Sequence, residues 1–253
     1  MRKYSLTLLV TAAFGLAAIQ AAAAADMPMK SPAYHPQPIP FTWTGFYGGV
    51  HAGWGWDNSS ADVAFPPATF DAASLDQNDN GFVGGGQIGY NYQFAPNWVV
   101  GIEGDFSGTD IRGTTTNPLT AGGVQVGAGI NNLAQRDVRW LATARGRLGF
   151  AADRWLIYVT GGGAWGEMKY TAGPAFAGLW SPVAFSHTSS GWTAGGGVEY
   201  GFTNNWTARV EYLYYDLDGA SIVNPSAAAG LAATQTWDRN RINVVRVGVN
   251  YKF

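Results

Sequence analysis

The sequence predicts an all-β fold in which eight antiparallel strands close into a barrel that spans a membrane. The first observation is the last stretch of the chain, where valines and aromatic residues alternate with Arg246, Gly248, Asn250 and Lys252. Because successive side chains of a strand point to opposite faces, this stretch has one apolar and one polar face. The second observation is that the other predicted strands repeat this alternation, as in a closed sheet with lipid outside and polar groups inside.

The composition supports this prediction and excludes other classes of protein. Charged residues make up only 13% of the chain and aromatic residues 14%, as expected for a wall whose outer face contacts lipid. The net charge of -2 gives no reason to expect a nucleic-acid partner. Cysteine is absent, so neither a disulfide framework nor a thiolate metal site can form.

The N-terminal residues indicate export. Arg2 and Lys3 precede an apolar run, and a run of small residues ends at Ala25, so residues 1–25 are predicted to be a secretory signal peptide. A membrane anchor is the alternative, but the run is short and rich in alanine. Five prolines in residues 26–41 predict an extended periplasmic tether. No later run could form a spanning helix, so residues 42–253 are assigned to the barrel.

The first four strands are predicted at about 43–56, 82–94, 98–107 and 136–150. In each of them, apolar residues at alternate positions form one row that should face outward. Their inward rows carry polar residues such as His51, Gln87 and Glu103. The outward rows contain, in turn, Phe46, Val50, Trp54 and Trp56; Ile88, Tyr90, Tyr92 and Phe94; Trp98, Val100, Ile102 and Phe106; and Val138, Trp140, Leu148 and Phe150.

The last four strands are predicted at about 155–170, 188–202, 206–217 and 245–253. The fifth strand of the eight is ambiguous in its facing, and its outward row is assigned by analogy with the strands that begin with tryptophan. The outward rows contain, in turn, Trp155, Ile157, Val159 and Trp165; Trp192, Val198, Tyr200 and Phe202; Trp206, Val210, Tyr212 and Tyr214; and Val245, Val247, Val249, Tyr251 and Phe253.

The connections alternate in length. Short turns at 95–97, 151–154 and 203–205 alternate with long polar stretches, predicted to be loops, at 57–80, 109–135, 171–186 and 218–237. Short periplasmic turns, long extracellular loops and aromatic girdles at both rims are features of outer-membrane barrels. The predicted girdle residues are Trp54, Trp56, Phe94, Trp98, Phe106, Trp140, Phe150, Trp155, Trp165, Trp192, Phe202 and Trp206.

Charged residues on the inward parity are the strongest polar signal. An arginine or lysine facing lipid near the midplane costs about 2–4 kcal/mol, so the fold requires these charges to point inward. Counted from the short turns, Glu199 and Arg209 should face each other across one hairpin. Arg139, Asp105 and Lys252 share the inward parity. The hypothesis is a network that constricts the barrel on its periplasmic side, formed by Glu103, Arg145, Arg147, Glu199, Arg209, Glu211 and Arg246.

Four segments are distinctive: WTGFYGG at 43–49 after a proline-rich lead, GGGQIGYNYQ at 84–93, WVVGIE at 98–103 and the terminal YKF. They resemble segments of small alphaproteobacterial outer-membrane proteins, a porin-like family with an OmpA-type eight-stranded barrel. The resemblance implies that the last strand is read by the outer-membrane assembly machinery through Val245, Val247, Val249, Tyr251 and Phe253. It also implies the outer membrane of a Gram-negative cell, with membrane lipid and lipopolysaccharide as partners. The oligomeric state is open, and a monomer is favoured.

No catalytic, metal or cofactor site is predicted. The glycines at 84, 86 and 89 match a dinucleotide fingerprint, but that motif must open a helix, and here the strand pattern continues. The three histidines, His35, His51 and His187, lack metal-ligand spacing. His187 lies among serines, but no oriented third partner for a nucleophile is visible.

Two functions follow from the lumen. A narrow or gated pore would give a porin-like protein that allows at most weak passive passage of small solutes. A solid polar plug would give a non-conducting structural or surface-exposed envelope protein, resembling an antigen or adhesin. An outer-membrane enzyme is a remote third alternative, and the sequence names no solute.

Overall fold

The computed structural model describes residues 41–65, 70–125, 131–174, 183–225 and 232–253. The predicted signal peptide, and the predicted tether except Phe41, lie outside these residues. The strands are β1 (Gly45–Ala64), β2 (Ala73–Ala95), β3 (Trp98–Pro118), β4 (Thr120–Ala121), β5 (Val124–Gln125), β6 (Asn131–Ala152), β7 (Trp155–Pro174), β8 (Val183–Gly201), β9 (Trp206–Leu217), β10 (Ala220–Pro225), β11 (Ala232–Trp237) and β12 (Asn240–Lys252).

The predicted all-β, eight-stranded antiparallel barrel is confirmed. In the described residues, the ring runs β1–β2–β3–β6–β7–β8–β9–β12 and closes where β12 pairs with β1, for example at Val50 and Val249. Every pairing in the ring is antiparallel. Closure leaves no free sheet edge in the membrane-spanning part, which satisfies the backbone polar groups in lipid.

The side chains alternate about the wall. The outward row of β1 is exposed, with Val50 at 67%, whereas its inward neighbours Tyr47 and His51 are buried. The fifth strand of the ring, β7, also turns Trp155, Ile157 and Val159 outward. The outward side chains are the apolar ones, so the outer surface of the barrel wall suits contact with lipid.

The predicted loops are wrong in extent, because the strands continue far into them. β1 and β2 pair without interruption from Gly45 opposite Asn91 up to Val63 opposite Ala73. A polar side chain does not prevent its backbone from joining a ladder. The polar composition of 57–80 therefore reflects exposure to water rather than an irregular backbone. The inward row there holds the buried apolar residues Ala61, Val63 and Leu75, together with the buried Asp57 and Asp79.

The prediction for Val138 and Arg139 is wrong, because the parity of β6 changes there. The pairing of β6 with β7 shifts between Val138 and Trp140, and that of β3 with β6 shifts between Gly108 and Ile111. A bulge adds one residue to a strand and re-aims the side chains beyond it. Val138 therefore lies inside, 2% exposed, and Arg139 lies outside.

The interior is filled in three layers. At the short-turn rim, a rim cluster contains Phe41, Trp43, Val99, Ala151, Leu156 and Tyr158. A layer of charged side chains lies next to the rim cluster, on the side away from the short turns. Beyond the outer aromatic band the wall continues as an extension, which comprises residues 57–65, 70–80, 109–125, 131–139, 166–174, 183–191, 218–225 and 232–240. An upper core begins above the charged layer and continues into this extension. It includes Val63, Leu75, Ile111, Val138, Leu141, Met168, Tyr170, Leu213, Tyr215, Trp237, Ile242 and Val244. Among the described residues, no helix is long and apolar enough to cross a bilayer.

We expect the folded protein to resist SDS at room temperature, because its ladder is closed. Unboiled and boiled samples should migrate differently on a gel, and only the unboiled sample should keep its β-sheet circular dichroism. Identical migration of the two samples would contradict the closed barrel.

Candidate functional site

Eight charged side chains lie together in the half of the lumen nearer the short turns. Each is at most 6% exposed. Four are acidic and four are arginines, so their formal charges balance. This charged layer consists of Glu103, Asp105, Glu199, Glu211, Arg145, Arg147, Arg209 and Arg246.

Strand register places these opposite charges side by side. Glu103 of β3 lies directly opposite Arg145 of β6, and Glu211 of β9 lies directly opposite Arg246 of β12. All project inward, because each has inward parity on its strand. Cross-strand neighbours on one face are the pairs that interact in a sheet.

Glu103 is the centre of the charged layer. Its Oε1 lies 2.5 Å from Nη2 of Arg145, and its Oε2 lies 2.5 Å from Nη1 of Arg209. The Tyr47 hydroxyl donates a third hydrogen bond to Oε2 at 2.6 Å. Charge-assisted bonds of this kind are the strong ones, and several together satisfy a carboxylate that water cannot reach.

Arg246 joins two acids on different strands. Its Nε donates to Glu211 at 2.7 Å, and its Nη1 donates to Asp105 at 3.1 Å. Arg145 also donates to Asp105 at 2.9 Å. The pairs therefore form one connected network across the lumen rather than separate bridges along the wall.

Arg147 completes the layer towards the rim cluster. It donates to Glu199 at 2.8 Å, and its guanidinium lies 3.9 Å from the centre of the Tyr158 ring. A cation stacked on an aromatic face is stabilised where water is excluded. The charged layer and the rim cluster therefore pack directly against each other.

The structure brings the seven residues of the predicted network into one layer and adds Asp105 to them. The prediction that Glu199 and Arg209 face each other across one hairpin is confirmed by the register, but the two side chains do not form an ion pair with each other. Arg209 instead reaches Glu103 across the lumen. An arginine side chain is long relative to the width of an eight-stranded barrel, so its best acceptor need not be its ladder neighbour. Lys252 lies at the short-turn rim and donates to the backbone oxygen of Thr42.

Glycines make room for these long side chains. A Cβ on Gly89 would lie 2.4 Å from the Tyr47 hydroxyl, and one on Gly53 would lie 2.7 Å from the Cα of Arg246. Neither position could hold a larger residue without moving the groups that the charged layer needs. The glycine-rich strands are therefore part of the site.

His51 joins the layer to its neighbours. Its Nδ1 lies 2.5 Å from Oε1 of Gln87, and its Nε2 lies 2.8 Å from Oγ of Ser107. Their spacing does not predict that His51 pairs with Ser107, because 56 positions separate them. Both side chains are buried, at 5% and 0% exposure. No carboxylate orients Nδ1, so the pair lacks both the third partner and the access that a nucleophile needs.

A second buried cluster lies in the extension, and sequence reasoning missed it. Arg136 pairs with both Asp57 and Asp79, and its Nη1 donates to Asn240 at 2.5 Å. All four residues are 1% exposed or less, within the upper core. Arg136 turns inward only because of the bulge at Arg139. Strict alternation along the strand would instead predict that Arg136 faces outward.

Two carboxyl groups outside the lipid-facing band have shifted pKa values. Burial raises the pKa of Asp79, and the charge of Arg136 only partly opposes this. The backbone N–H of Gly123 lowers the pKa of Asp71 by binding its carboxylate. Gly122 and Gly123 have positive φ angles of 60° and 78° in the turn between β4 and β5. Asp71 therefore fastens that turn to the connection between β1 and β2.

The predicted girdle residues face outward in two bands. Phe94, Trp98, Phe150, Trp155, Phe202 and Trp206 flank the short turns, and Trp54, Trp56, Phe106, Trp140, Trp165 and Trp192 lie near the start of the extension. Trp140 is partly covered, because it stacks on Phe106 with centroids 5.6 Å apart and donates to Glu167 at 2.9 Å. The two bands bound the part of the wall that suits lipid.

The predicted assembly segment lies at the closing strand. Val245, Val247, Val249 and Tyr251 form the outward row of β12, and Phe253 is 79% exposed beyond its end. The rings of Tyr251 and Phe253 meet edge to face, with centroids 5.1 Å apart. Tyr251 and Phe253 are thus exposed on the outer face of the short-turn rim, where another protein could contact them.

Two recesses of about 550 and 540 Å³ lie on the outer face of the wall. One is bounded by aliphatic residues that include Val50, Val247 and Val249, and the other includes Ile88 and Ile102. Both lie between the two aromatic bands, so lipid chains can fill them. Among the described residues, no group of three or more His, Cys, Asp or Glu side chains could hold a metal ion.

Comparison with known proteins gives both sequence and fold relatives. The family profile described as "Outer membrane protein beta-barrel domain" matches residues 9–253. The 31 kDa outer-membrane immunogenic protein of Brucella melitensis biotype 1 is 36% identical over 249 residues, which cover 92% of this chain and 93% of that protein. The 22 kDa outer membrane protein of Rhizobium leguminosarum is 32% identical and covers 70% of this chain and 69% of its own.

Among solved structures, the outer membrane protein OprG from Pseudomonas aeruginosa has a TM-score of 0.53 at 18% identity. The match covers 85% of this chain and 99% of that chain. This similarity concerns the fold alone.

Proposed function

Because the chain belongs to the outer membrane protein β-barrel domain family, we propose that it is a non-conducting barrel that displays its extension at the cell surface. The protein lies in the Gram-negative outer membrane, like its relatives. The filled lumen would act as a rigid base for the part of the wall that rises beyond the membrane.

The filled interior is the observation that carries this proposal. A path for solutes would have to pass the rim cluster, the charged layer and the upper core in turn. Each arginine of the charged layer is at most 4% exposed, which supports a lumen without a wetted channel beside these guanidinium groups. An eight-stranded barrel is narrow enough for side chains to fill it.

Weak passive passage of small solutes is the alternative, and the same geometry weighs against it. It would require the balanced ion pairs to separate and the upper core to open together. Separating buried charges that have no water to receive them is costly. A catalytic role is not part of the proposal, and the hydrogen-bonded pair of Ser107 and His51 is buried inside the wall.

The names of the relatives fit surface display. Those from Brucella are described as immunogenic outer-membrane proteins. For this chain, the corresponding surface would be the extension and its hairpins. The turn at Gly122 and Gly123, which is followed by Val124 at 70% exposure, is one open part of that surface.

Recording from planar lipid bilayers tests the proposal. We expect the refolded protein, once shown to be folded by its shift on an SDS gel, to give no channel steps. An open porin recorded in the same bilayer would show that steps can be detected. Stable, reproducible conductance steps from the folded protein would contradict the filled lumen and favour weak passage instead.

A further inference from the structure

The upper part of β8 has an open edge. Residues 183–190 pair with β7, whereas β9 pairs only with residues 191–201. β10 continues the chain beyond β9, but it pairs with β11, which in turn pairs with β1. Among the residues that the structure describes, no strand lies against the other side of residues 183–190.

The direction of the free backbone groups follows from one hydrogen bond. The N–H of Asp218 donates to the C=O of Ser190 at 3.1 Å, so the polar groups of Ser190 point away from β7. In an antiparallel ladder these groups point to alternate sides along a strand. The N–H and C=O groups of Thr188, Ser186 and Ala184 must therefore also point away from β7. They point into the space beside residues 183–190, which is called the gap below. All three residues are exposed.

This edge lacks the usual protection against pairing. Proteins blunt open edges with charged side chains, prolines, bulges or very short strands. The sequence of residues 183–190, VAFSHTSS, contains no Lys, Arg, Asp, Glu or Pro. Its register with β7 runs without a bulge. An eight-residue edge of this kind can receive another extended chain.

We propose that residues 183–190 of β8 bind an extended peptide segment of another protein as an added antiparallel strand. Main-chain hydrogen bonds give affinity in such strand addition, and alternate side chains give specificity. The gap offers the N–H and C=O groups of Ala184, Ser186 and Thr188 to the peptide. The edge lies beyond the girdle at Trp192, so a peptide reaches it from water.

The surroundings specify the peptide. Phe185 lies beside Tyr170 and Trp237, with ring centroids 5.3 and 5.9 Å away, so the inward side chains of the added strand should be apolar. At the base of the gap, Arg239 pairs with Asp216 and Asp218. Asp218 is the more exposed of these two acids, with 61% of its side chain accessible against 12% for Asp216.

The charge fixes one end of the peptide. β8 runs from the long-loop rim towards the short turns, so an antiparallel partner begins at the base of the gap. A basic residue at the N-terminal end of the peptide would then meet Asp218, which is 61% exposed. A second copy in the same membrane fits less well. Its β8 runs in the same direction, so the two edges could pair only in parallel, which is less stable per residue.

Strand addition rests on the proposed display of the extension at the surface, but not on a closed lumen. A barrel that conducts would overturn the proposed function and leave this edge unchanged. The two proposals can therefore fail separately.

The test uses the refolded full chain in detergent micelles and a fluorescent peptide, Lys-Thr-Val-Thr-Val-Thr-Val. We expect saturable binding by fluorescence anisotropy to the unaltered protein and to Thr188→Ala. Thr188→Pro removes a gap-facing N–H without removing a bond to β7, and it should weaken binding at least tenfold. Asp218→Asn should weaken it a few-fold.

Three results would overturn the proposal. One is equal binding to Thr188→Pro and to Thr188→Ala. Another is the absence of saturable binding to the unaltered protein. The third is slow hydrogen exchange of the Ser186 and Thr188 amides without peptide, which would mean that the chain itself covers the edge. If Thr188→Pro fails to fold, the same peptide methylated at alternate backbone nitrogens replaces it, and equal binding of that peptide would count against the proposal.

Discussion

Glu103→Gln should lower the free energy of unfolding by about 3–5 kcal/mol, the usual cost of removing one partner from a buried charge network. The substitution keeps the shape of the side chain but removes its charge. Arg145 and Arg209 each donate to Glu103 at 2.5 Å, and water cannot replace the lost acceptor in a layer this buried. The charged layer would then hold four arginines against three acids.

Urea unfolding of the refolded protein in micelles measures this loss. Asp110→Asn is the matched control, since it removes a carboxylate from the same strand where the side chain is 62% exposed, and it should change stability by about 0.5 kcal/mol or less. Adding Arg209→Met to Glu103→Gln restores charge balance. The double variant should therefore lose less than the sum of the single losses. Additive losses would show that the two residues do not act as one network.

Arg136→Met should have an effect of similar size, about 3–5 kcal/mol, although its cluster lies outside the lipid-facing band. The arginine is fully buried and pairs with Asp57 and Asp79 inside an apolar core. Its loss removes the positive charge that these two carboxylates share. Arg139→Met, three residues along the same strand but exposed, is the control and should change stability by about 0.5 kcal/mol or less.

The loss in Arg136→Met should shrink as the pH falls. Burial already raises the pKa of Asp79 in the presence of the arginine, and removing the cation raises it further. A carboxyl group whose pKa is higher in the folded than in the unfolded state binds its proton more tightly when folded, so stability rises as the pH falls through the folded-state pKa towards the unfolded-state pKa. Unfolding measured at pH 7 and pH 5 tests this. A loss that grows on acidification would contradict the assigned cluster.

Combining Arg136→Met with Asp57→Asn and Asp79→Asn provides a second check. This variant carries no charge in the cluster, so it should recover much of the lost stability at pH 7. Failure to recover it would indicate that the shape of the guanidinium group, rather than its charge, is what the upper core needs.

Alternation alone predicted the barrel. Successive side chains of a strand point to opposite faces, and only the outer face contacts lipid, so each apolar row must face outward. It placed the outward row of β1 and the aromatic bands, and it grouped the seven residues of the predicted network on the inner face. These inferences need only the parity of each residue within its own strand. The closed ring of eight strands then follows from alternate short and long connections.

Only the tertiary structure decided what depends on distances between strands. The bulge at Arg139 reverses the parity of β6 above it, so Arg136 enters the upper core although strict alternation along β6 predicts the outer face. Arg209 bonds to Glu103 across the lumen rather than to its ladder neighbour Glu199. The open edge of β8 exists because β10 pairs with β11 instead. A sequence specifies the two faces of each strand locally, but the partner of a long side chain or of a strand edge depends on which groups the closed sheet brings within reach.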